Sequence, residues 1–160
     1  MFSSYQKPKN TAAVPECSVL EPDFGSRMPL PVAGYSIQGG FPSPAEDFLE
    51  SRLDLNDLLI ARPAATFYLR YQGDSMRDAG LHPGDILVVD RAESPRHGDI
   101  VVAVVDGEMT CKRLYNRAGL IRLDAEHPEF PNIELRQDSE LVIWGVVTAA
   151  VKRFKTTRAV

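Results

Sequence analysis

From Thr66 onward, short runs rich in β-branched and other apolar residues alternate with polar, turn-forming residues. Runs of this length and composition predict β-strands rather than helices. Six runs carry the pattern: TFYLRY, DILVVD, DIVVAVV, EMTCKRLY, LIRLD and LVIWGVVTAAV. Asp106-Gly107, between the third and fourth runs, is a strong signal for a two-residue hairpin turn. The region from about residue 41 to 160 is therefore predicted to be mostly β.

One helix is predicted ahead of these strands. The stretch SPAE at 43–46 has a capping serine, a proline at the first helical position and an acid three residues after the cap. These features satisfy the free N–H groups at a helix start. Four apolar residues share one face of the helix that would follow: Ala45, Phe48, Leu49 and Leu53. We therefore expect a short amphipathic helix here, with DLNDLLI as a further helical turn or a loop.

The segment before this helix has a different composition. Five of the 12 prolines precede Gly39, and a proline inside a helix costs about 3 kcal/mol. The apolar residues of this leader show no sustained helical or strand period. We predict that residues 1–39 form an extended or disordered arm and that residues 40–160 form the folded domain.

Composition narrows the class of protein. A net charge of −4 argues against general nucleic-acid binding, because such binding depends on Lys and Arg that neutralise phosphates. The two cysteines, Cys17 and Cys111, form no CxxC motif, which fits a reducing compartment without structural zinc. The chain also lacks an apolar run of about 18 residues or more. We expect a cytoplasmic protein with no membrane segment, no metal and no cofactor.

The candidate chemistry centres on a serine. The three histidines, His82, His97 and His127, each adjoin proline or glycine in a predicted turn, where histidines are more often solvated than catalytic. The stretch GDSM, which contains Asp74 and Ser75, directly follows the strand TFYLRY. A serine at such a junction can project its hydroxyl into a cleft. The alternative is that Asp74 and Ser75 only cap a short helical turn.

A serine without histidine needs another base, and Lys112 is the candidate. Strand alternation places Thr110, Lys112 and Leu114 on one face. A lysine with a pKa of about 10.4 is neutral in only about one molecule in 2500 at pH 7, but burial lowers that pKa. Thr110 can orient the amine by a hydrogen bond, and a Ser–Lys pair can perform acyl transfer. The alternative is an edge lysine that discourages strand aggregation.

Four stretches carry a family resemblance: GFPSPAEDFLESRLDLNDLLI, GDSMRDAGLHPGDILVVDRA, HGDIVVAVVDGEMTCKRL and WGVV. In their order and spacing, over roughly residues 40–151, they resemble the LexA-like self-cleaving serine peptidases, and most closely the UmuD-like branch of SOS mutagenesis. The resemblance implies a LexA/UmuD-like β-domain with Ser75 as nucleophile and Lys112 as general base. It also implies a scissile bond between Gly39 and Gly40, so that 1–39 is a cleavable arm and 40–160 the peptidase and dimerisation domain.

The resemblance further implies partners. They are a second copy in a homodimer, a RecA–single-stranded-DNA filament that stimulates cleavage, and a UmuC-like Y-family polymerase for translesion synthesis in DNA repair. Nothing before Gly39 resembles a helix-turn-helix, so sequence-specific DNA binding is not expected. The family more often has Ala or Cys at the position of Gly39. Glycine at this position makes the segment more flexible, and we therefore expect slower cleavage.

Two other functions stay open at this stage. The chain can be a noncatalytic dimeric polymerase-binding regulatory subunit that uses its arm only for docking, in which case the two glycines are a hinge. A peptidase that acts on other proteins is less favoured, because a tethered substrate has a high effective concentration and needs little intrinsic affinity.

Overall fold

The computed structural model describes residues 19–20, 27–33, 49–135 and 139–154. In chain order its strands are β1 (Val19–Leu20), β2 (Leu30–Ala33), β3 (Leu49–Leu53), β4 (Thr66–Arg70), β5 (Ile86–Asp90), β6 (Ile100–Val105), β7 (Glu108–Arg117), β8 (Leu120–Asp124), β9 (Ile133–Glu134) and β10 (Leu141–Val151). The α-helix α1 covers Leu55–Leu59, and two 3-10 helices cover Pro63–Ala65 and Arg77–Ala79. The mostly-β expectation is confirmed. In the described ranges no helix has the length and apolar character needed to cross a membrane.

Eight of the strands form one sheet in the order β1-β4-β5-β10-β6-β7-β8-β9, and β2 and β3 form a separate antiparallel pair. All six predicted strand runs lie in the large sheet. Strands β6 and β7 are joined by Asp106 and Gly107, whose φ angles of 50° and 87° are both positive. Positive φ at both central residues is what a tight hairpin turn needs to match the strand twist. The predicted hairpin is therefore confirmed.

The helix predicted from the apolar face of 45–53 is wrong over its second half. Leu49–Leu53 forms β3, and its residue Leu53 pairs with Leu30 of β2. The partner strand lies in the leader, so a segment distant in sequence decides the conformation of β3, and strand preference depends strongly on such context. DLNDLLI supplies the helical turn α1 instead, capped by Asp54, whose side chain accepts a hydrogen bond from Asn56 N–H at 2.9 Å. The cap at 43–46 lies outside the described residues.

Two short parts of the leader are extended strands. β1 pairs with β4, and β2 pairs with β3. Just before β2, the Met28 N–H donates to Asp54 Oδ2 at 2.7 Å, which attaches this part of the leader to the start of α1. Residues 34–48 connect β2 to β3 and contain Gly39 and Gly40, both outside the described residues. The boundary at 39/40 stays a prediction.

Buried residues lie on both faces of the large sheet. One cluster consists of Leu69, Tyr71, Met76, Leu81, Leu87, Val89 and Val102. The other consists of Val101, Ala103, Leu114, Leu123 and Val146. Because successive strand residues point to opposite faces, the neighbours Val101 and Val102 fall in different clusters. The central strands are therefore covered on both sides.

Strand β10, in the middle of the sheet, shifts register twice, between Ile143 and Gly145 and between Val147 and Ala149. Such bulges bend a strand and increase its twist. The curvature matters because β5, β10 and β6 separate β4 from β7. In a flat sheet, β4 and β7 would lie about 19 Å apart. Bending of the sheet helps to bring residues that follow β4 toward residues of β7.

Gly145 occupies one of these bulges, where β10 lies very close to β5. A Cβ atom there would lie 2.6 Å from Val89 Cγ1 and 3.1 Å from the Asp90 carbonyl oxygen. Val89 is fully buried and the second contact is backbone, so neither neighbour can move easily. We expect Gly145→Ala to lower the free energy of unfolding by about 1–3 kcal/mol, measured by urea denaturation.

The control for Gly145→Ala is Ala150→Ser, at an exposed position of the same strand. This variant should change the free energy of unfolding by less than about 0.5 kcal/mol. If Gly145→Ala were as stable as the unchanged chain, the close approach of β10 to β5 would not require glycine.

Candidate active site

Ser75 lies on the turn that connects β4 to the 3-10 helix Arg77–Ala79. The next residue, Met76, is fully buried and anchors the turn in the core. Met76 is also the N-cap residue of the short helix, and no side chain forms a capping hydrogen bond there. The side chains of Asp74 and Ser75 therefore do not serve as its caps.

The Lys112 side chain meets Ser75 from β7. Its Nζ lies 2.6 Å from Ser75 Oγ and 3.3 Å from the Cys111 carbonyl oxygen. Ser75 and Lys112 are each only 7% exposed. On the neighbouring strand β6, Val101 lies opposite Lys112 and is fully buried, so the lysine has an apolar cross-strand neighbour. The structure thus brings together the two residues that the sequence analysis selected.

Burial decides the protonation of this pair. Desolvation lowers the pKa of Lys112 below its ordinary value, and the nearby Cys111 partly opposes the shift. A lower pKa increases the fraction of neutral amine at a given pH, and a neutral amine can accept the Ser75 proton. Burial also raises the pKa of Cys111 to about 12. That cysteine therefore stays a thiol near pH 7 and is a poor competing nucleophile.

Tyr71 is a part of the site that sequence reasoning missed. Its hydroxyl oxygen accepts a hydrogen bond from the Met76 N–H at 3.1 Å. A Cβ atom at Gly73 would lie 3.0 Å from the same oxygen, so the tyrosine fills the inside of the turn. Burial raises the pKa of Tyr71, and a hydrogen bond with the Ser75 side chain acts in the opposite direction. The available signal was its place at the end of a strand, two residues before Gly73.

The other predicted site residues take different positions. The Asp74 carboxylate is partly exposed, 3.4 Å from His127 Nε2 and 4.0 Å from Arg77 Nη1. Thr110 lies on β7 opposite Ala103. In the part of the chain that the structure describes, no hydrogen bond joins Thr110 to Lys112, and its role in orienting the amine stays a prediction.

The histidines divide into two groups. His82 and His97 are exposed, as predicted for turn histidines. The same expectation is wrong for His127, which is 5% exposed. Its turn folds back on itself, since Phe130 N–H donates to the His127 carbonyl and the two rings pack edge to face at 5.1 Å. Within the described ranges, none of the three forms a hydrogen bond with Ser75 or Lys112, and no group of three or more His, Cys, Asp or Glu side chains is arranged to hold a metal ion.

Comparison with known proteins places the chain in a family. Residues 31–148 match the family described as Peptidase S24-like. Protein ImpA of Salmonella typhimurium is 43% identical over 159 residues, 99% of this chain and 100% of ImpA. Protein MucA of Escherichia coli is 40% identical over 132 residues, 81% of this chain and 90% of MucA. The LexA repressor of Xylella fastidiosa (strain 9a5c) is 42% identical over 117 residues, 73% of this chain and 54% of the repressor. The chain therefore belongs to the Peptidase S24-like family, as a UmuD-like relative of LexA.

Proposed function

We propose that this chain is a self-cleaving serine peptidase of the SOS response, which cuts its own Gly39–Gly40 bond with Ser75 and Lys112. The observation that carries the proposal is the 2.6 Å contact between Ser75 Oγ and Lys112 Nζ in a buried site. A hydroxyl and an amine at this distance can exchange a proton directly. The match to the Peptidase S24-like family supports the same chemistry.

The reaction uses one proton carrier. Neutral Lys112 Nζ accepts the Ser75 proton while Oγ forms a bond to the Gly39 carbonyl carbon. The resulting ammonium then donates that proton to the Gly40 nitrogen as the C–N bond breaks, which releases the new amino terminus. A water molecule, deprotonated in turn by Lys112, hydrolyses the ester between Ser75 and Gly39 and restores the free serine.

Self-cleavage is favoured over general proteolysis because the scissile bond is attached to the enzyme. It belongs to the segment 34–48, whose ends continue into the paired strands β2 and β3. A tethered substrate has an effective concentration that a free peptide rarely reaches, so the site needs little affinity of its own.

Cleavage separates residues 1–39 from the domain 40–160, and the processed form serves a UmuC-like Y-family polymerase in translesion synthesis. Both forms are homodimers in the cytoplasm, and a RecA–single-stranded-DNA filament stimulates cleavage. Similarity to ImpA and MucA over most of the chain supports this setting. Large exposed apolar residues around β2, β3 and α1 support a protein–protein contact there: Met28, Leu30, Leu53, Leu55 and Leu58.

A noncatalytic polymerase-binding subunit is the second candidate. The environment of Lys112 argues against it. Removing an ammonium group from water is costly unless the charge is paired, and a subunit that only binds gains nothing from that cost. A buried lysine in contact with a serine is expected where a neutral amine is needed as a base.

The test is incubation of the purified chain at pH 7 and pH 10, with mass spectrometry of the products over time. We expect a fragment that begins at Gly40 and forms at least about tenfold faster at pH 10. The rate is expected to rise with pH because Lys112 acts as the base. Below the pKa of Lys112 the ammonium cannot accept the serine proton, so the rate rises with pH and levels off above that pKa. Because burial lowers the pKa, half of the maximal rate is reached below the ordinary value.

Circular dichroism at both pH values is the control, since an unfolded chain would also fail to cleave. A folded chain that stays intact at pH 7 and pH 10, even with an activated RecA filament, would favour the noncatalytic subunit. A fragment that begins elsewhere would retain the peptidase but reject Gly39–Gly40 as its target.

A further inference from the structure

His127 is a buried polar group that the proposed reaction leaves without a task. Its side chain is 2% exposed, and Nδ1 accepts a hydrogen bond from the Glu129 N–H at 3.1 Å. Because Nδ1 accepts, the proton of the neutral ring is on Nε2. Nε2 is buried and has no hydrogen-bond partner in the described part of the chain, and Asp74 Oδ2 lies 3.4 Å from it. The ring therefore places a buried, unpaired N–H within 3.4 Å of the carboxylate next to Ser75.

The residue before His127 holds the same turn through its backbone. The Glu126 N–H donates to the Ser75 carbonyl at 2.8 Å, and the Glu126 carbonyl accepts from the Asp78 N–H at 2.8 Å. The turn that carries Ser75 is thus bound at the serine itself and again at Asp78, three residues later, by one neighbouring segment. His127 adds a side-chain contact to this backbone attachment.

The same segment is also attached to the strand of Lys112. Arg113, the residue after Lys112, forms an ion pair through Nε with the Glu126 carboxylate. Its Nη1 donates to the Gly98 carbonyl at 2.8 Å, which holds the guanidinium in place. Residues 126–127 therefore bridge the turn that carries the hydroxyl and the strand that carries the amine.

We propose that His127 is a positioning residue for self-cleavage: its buried Nε2–H attracts the Asp74 carboxylate and so restrains the turn that presents Ser75 Oγ to Lys112 Nζ. This role rests on the proposed function of Ser75 and Lys112. Asp74 is 44% exposed, so without the ring its carboxylate can turn into solvent. Proton transfer and attack are sensitive to position, and a shift of about 1 Å costs on the order of 10²-fold in rate. The Glu126 backbone bonds stay in place, so the expected loss is partial.

The test compares His127→Phe with His127→Gln. Phenylalanine fills the same space without a donor, whereas the glutamine amide can direct an N–H at Asp74. We expect His127→Phe to slow self-cleavage about 10- to 100-fold and His127→Gln to restore the rate to within about threefold of the unchanged chain. Rates are measured at pH 10, where a larger fraction of Lys112 is neutral than at pH 7 because burial lowers its pKa, and thermal unfolding is recorded for each variant.

A double-mutant cycle with Asp74→Ala isolates the contact. Asp74 is partly exposed, so this variant should fold. If His127 acts through Asp74, His127→Phe should cause little further loss once Asp74 is alanine. The proposal would be overturned if the fold-losses in rate of the two single variants multiplied in the double variant. It would also be overturned if His127→Phe cleaved as fast as the unchanged chain. Failure of glutamine to rescue would also count against a role as donor.

A second readout separates this proposal from the proposed function. The rate at which a fluorophosphonate probe labels Ser75 depends on the nucleophile and its turn, not on the arm. Labelling should follow the same order, with His127→Gln faster than His127→Phe. If the variants are labelled in this order but the unchanged chain releases no fragment at Gly40, the proposal of self-cleavage fails and the positioning role stands. If both variants are labelled at the same rate while the unchanged chain cleaves itself, the positioning role is wrong and the proposed self-cleavage stands.

Discussion

Ser75→Ala is expected to abolish the fragment that begins at Gly40, with a fall in the self-cleavage rate constant of at least about 10³-fold. The substitution removes the oxygen that lies 2.6 Å from Lys112 Nζ and changes little else in volume. The nearby Cys111 cannot replace it, because burial raises the pKa of its thiol to about 12. The measurement is the rate of fragment formation at pH 10, followed by mass spectrometry.

The matched control for this loss is Ser94→Ala. Ser94 is an exposed serine in the segment between β5 and β6, so its removal should leave the rate unchanged. The melting temperature of Ser75→Ala is recorded beside it to show that the fold persists. Fragment formation by Ser75→Ala at the rate of the unchanged chain would mean that another group attacks the bond, and the proposed mechanism would be wrong.

Six of the eight strands of the large sheet were predictable because each is marked by neighbouring residues in the sequence. In β6, a continuous apolar run is followed by a two-residue turn, and the partner strand β7 comes directly after it. Asp106 and Gly107 adopt the positive φ angles that the turn requires. Here the apolar pattern, the turn residues and the partner strand lie within a few residues of one another, and all three favour the same hairpin.

The conformation of strand β3 could not be predicted from its own residues. The spacing of Leu49 and Leu53 fits one helical face, but these residues pair with Ala33 and Leu30 across the intervening segment 34–48. Five residues with two possible periods do not select a conformation by themselves. The partner strand selects it, and the leader that supplies this partner has no strand pattern of its own.

The site was predictable in chemistry but not in geometry. Residue types and strand position suggested Ser75 and Lys112, yet 37 positions separate them in sequence and three strands separate β4 from β7. Their contact depends on the path of the turn after β4 and on the sheet curvature that accompanies the register shifts of β10, and the sequence analysis predicted neither. His127 was misjudged because its burial results from packing against Phe130, a contact that the neighbouring proline does not reveal.

Lys112→Met is expected to reduce self-cleavage at least about 10³-fold at every pH from 7 to 10. Methionine has a stem of similar length but no amine, so no group remains to take the Ser75 proton. The variant should also be more stable than the unchanged chain at pH 7, as measured by urea denaturation. Burial lowers the pKa of Lys112 in the folded state, so the unfolded chain binds the proton more strongly. The ammonium therefore destabilises the fold at neutral pH, and methionine removes that cost.

The stability difference has a defined pH dependence. It is fully present below the folded-state pKa of Lys112, shrinks as pH rises through that value, and is absent above the unfolded pKa of about 10.4. Lys112→Arg is the matched control, because a guanidinium stays charged throughout this range. It should abolish cleavage like methionine but bring no gain in stability. If Lys112→Arg cleaved with the pH dependence of the unchanged chain, the proton acceptor would have to be another group, since arginine cannot supply a neutral base at these pH values.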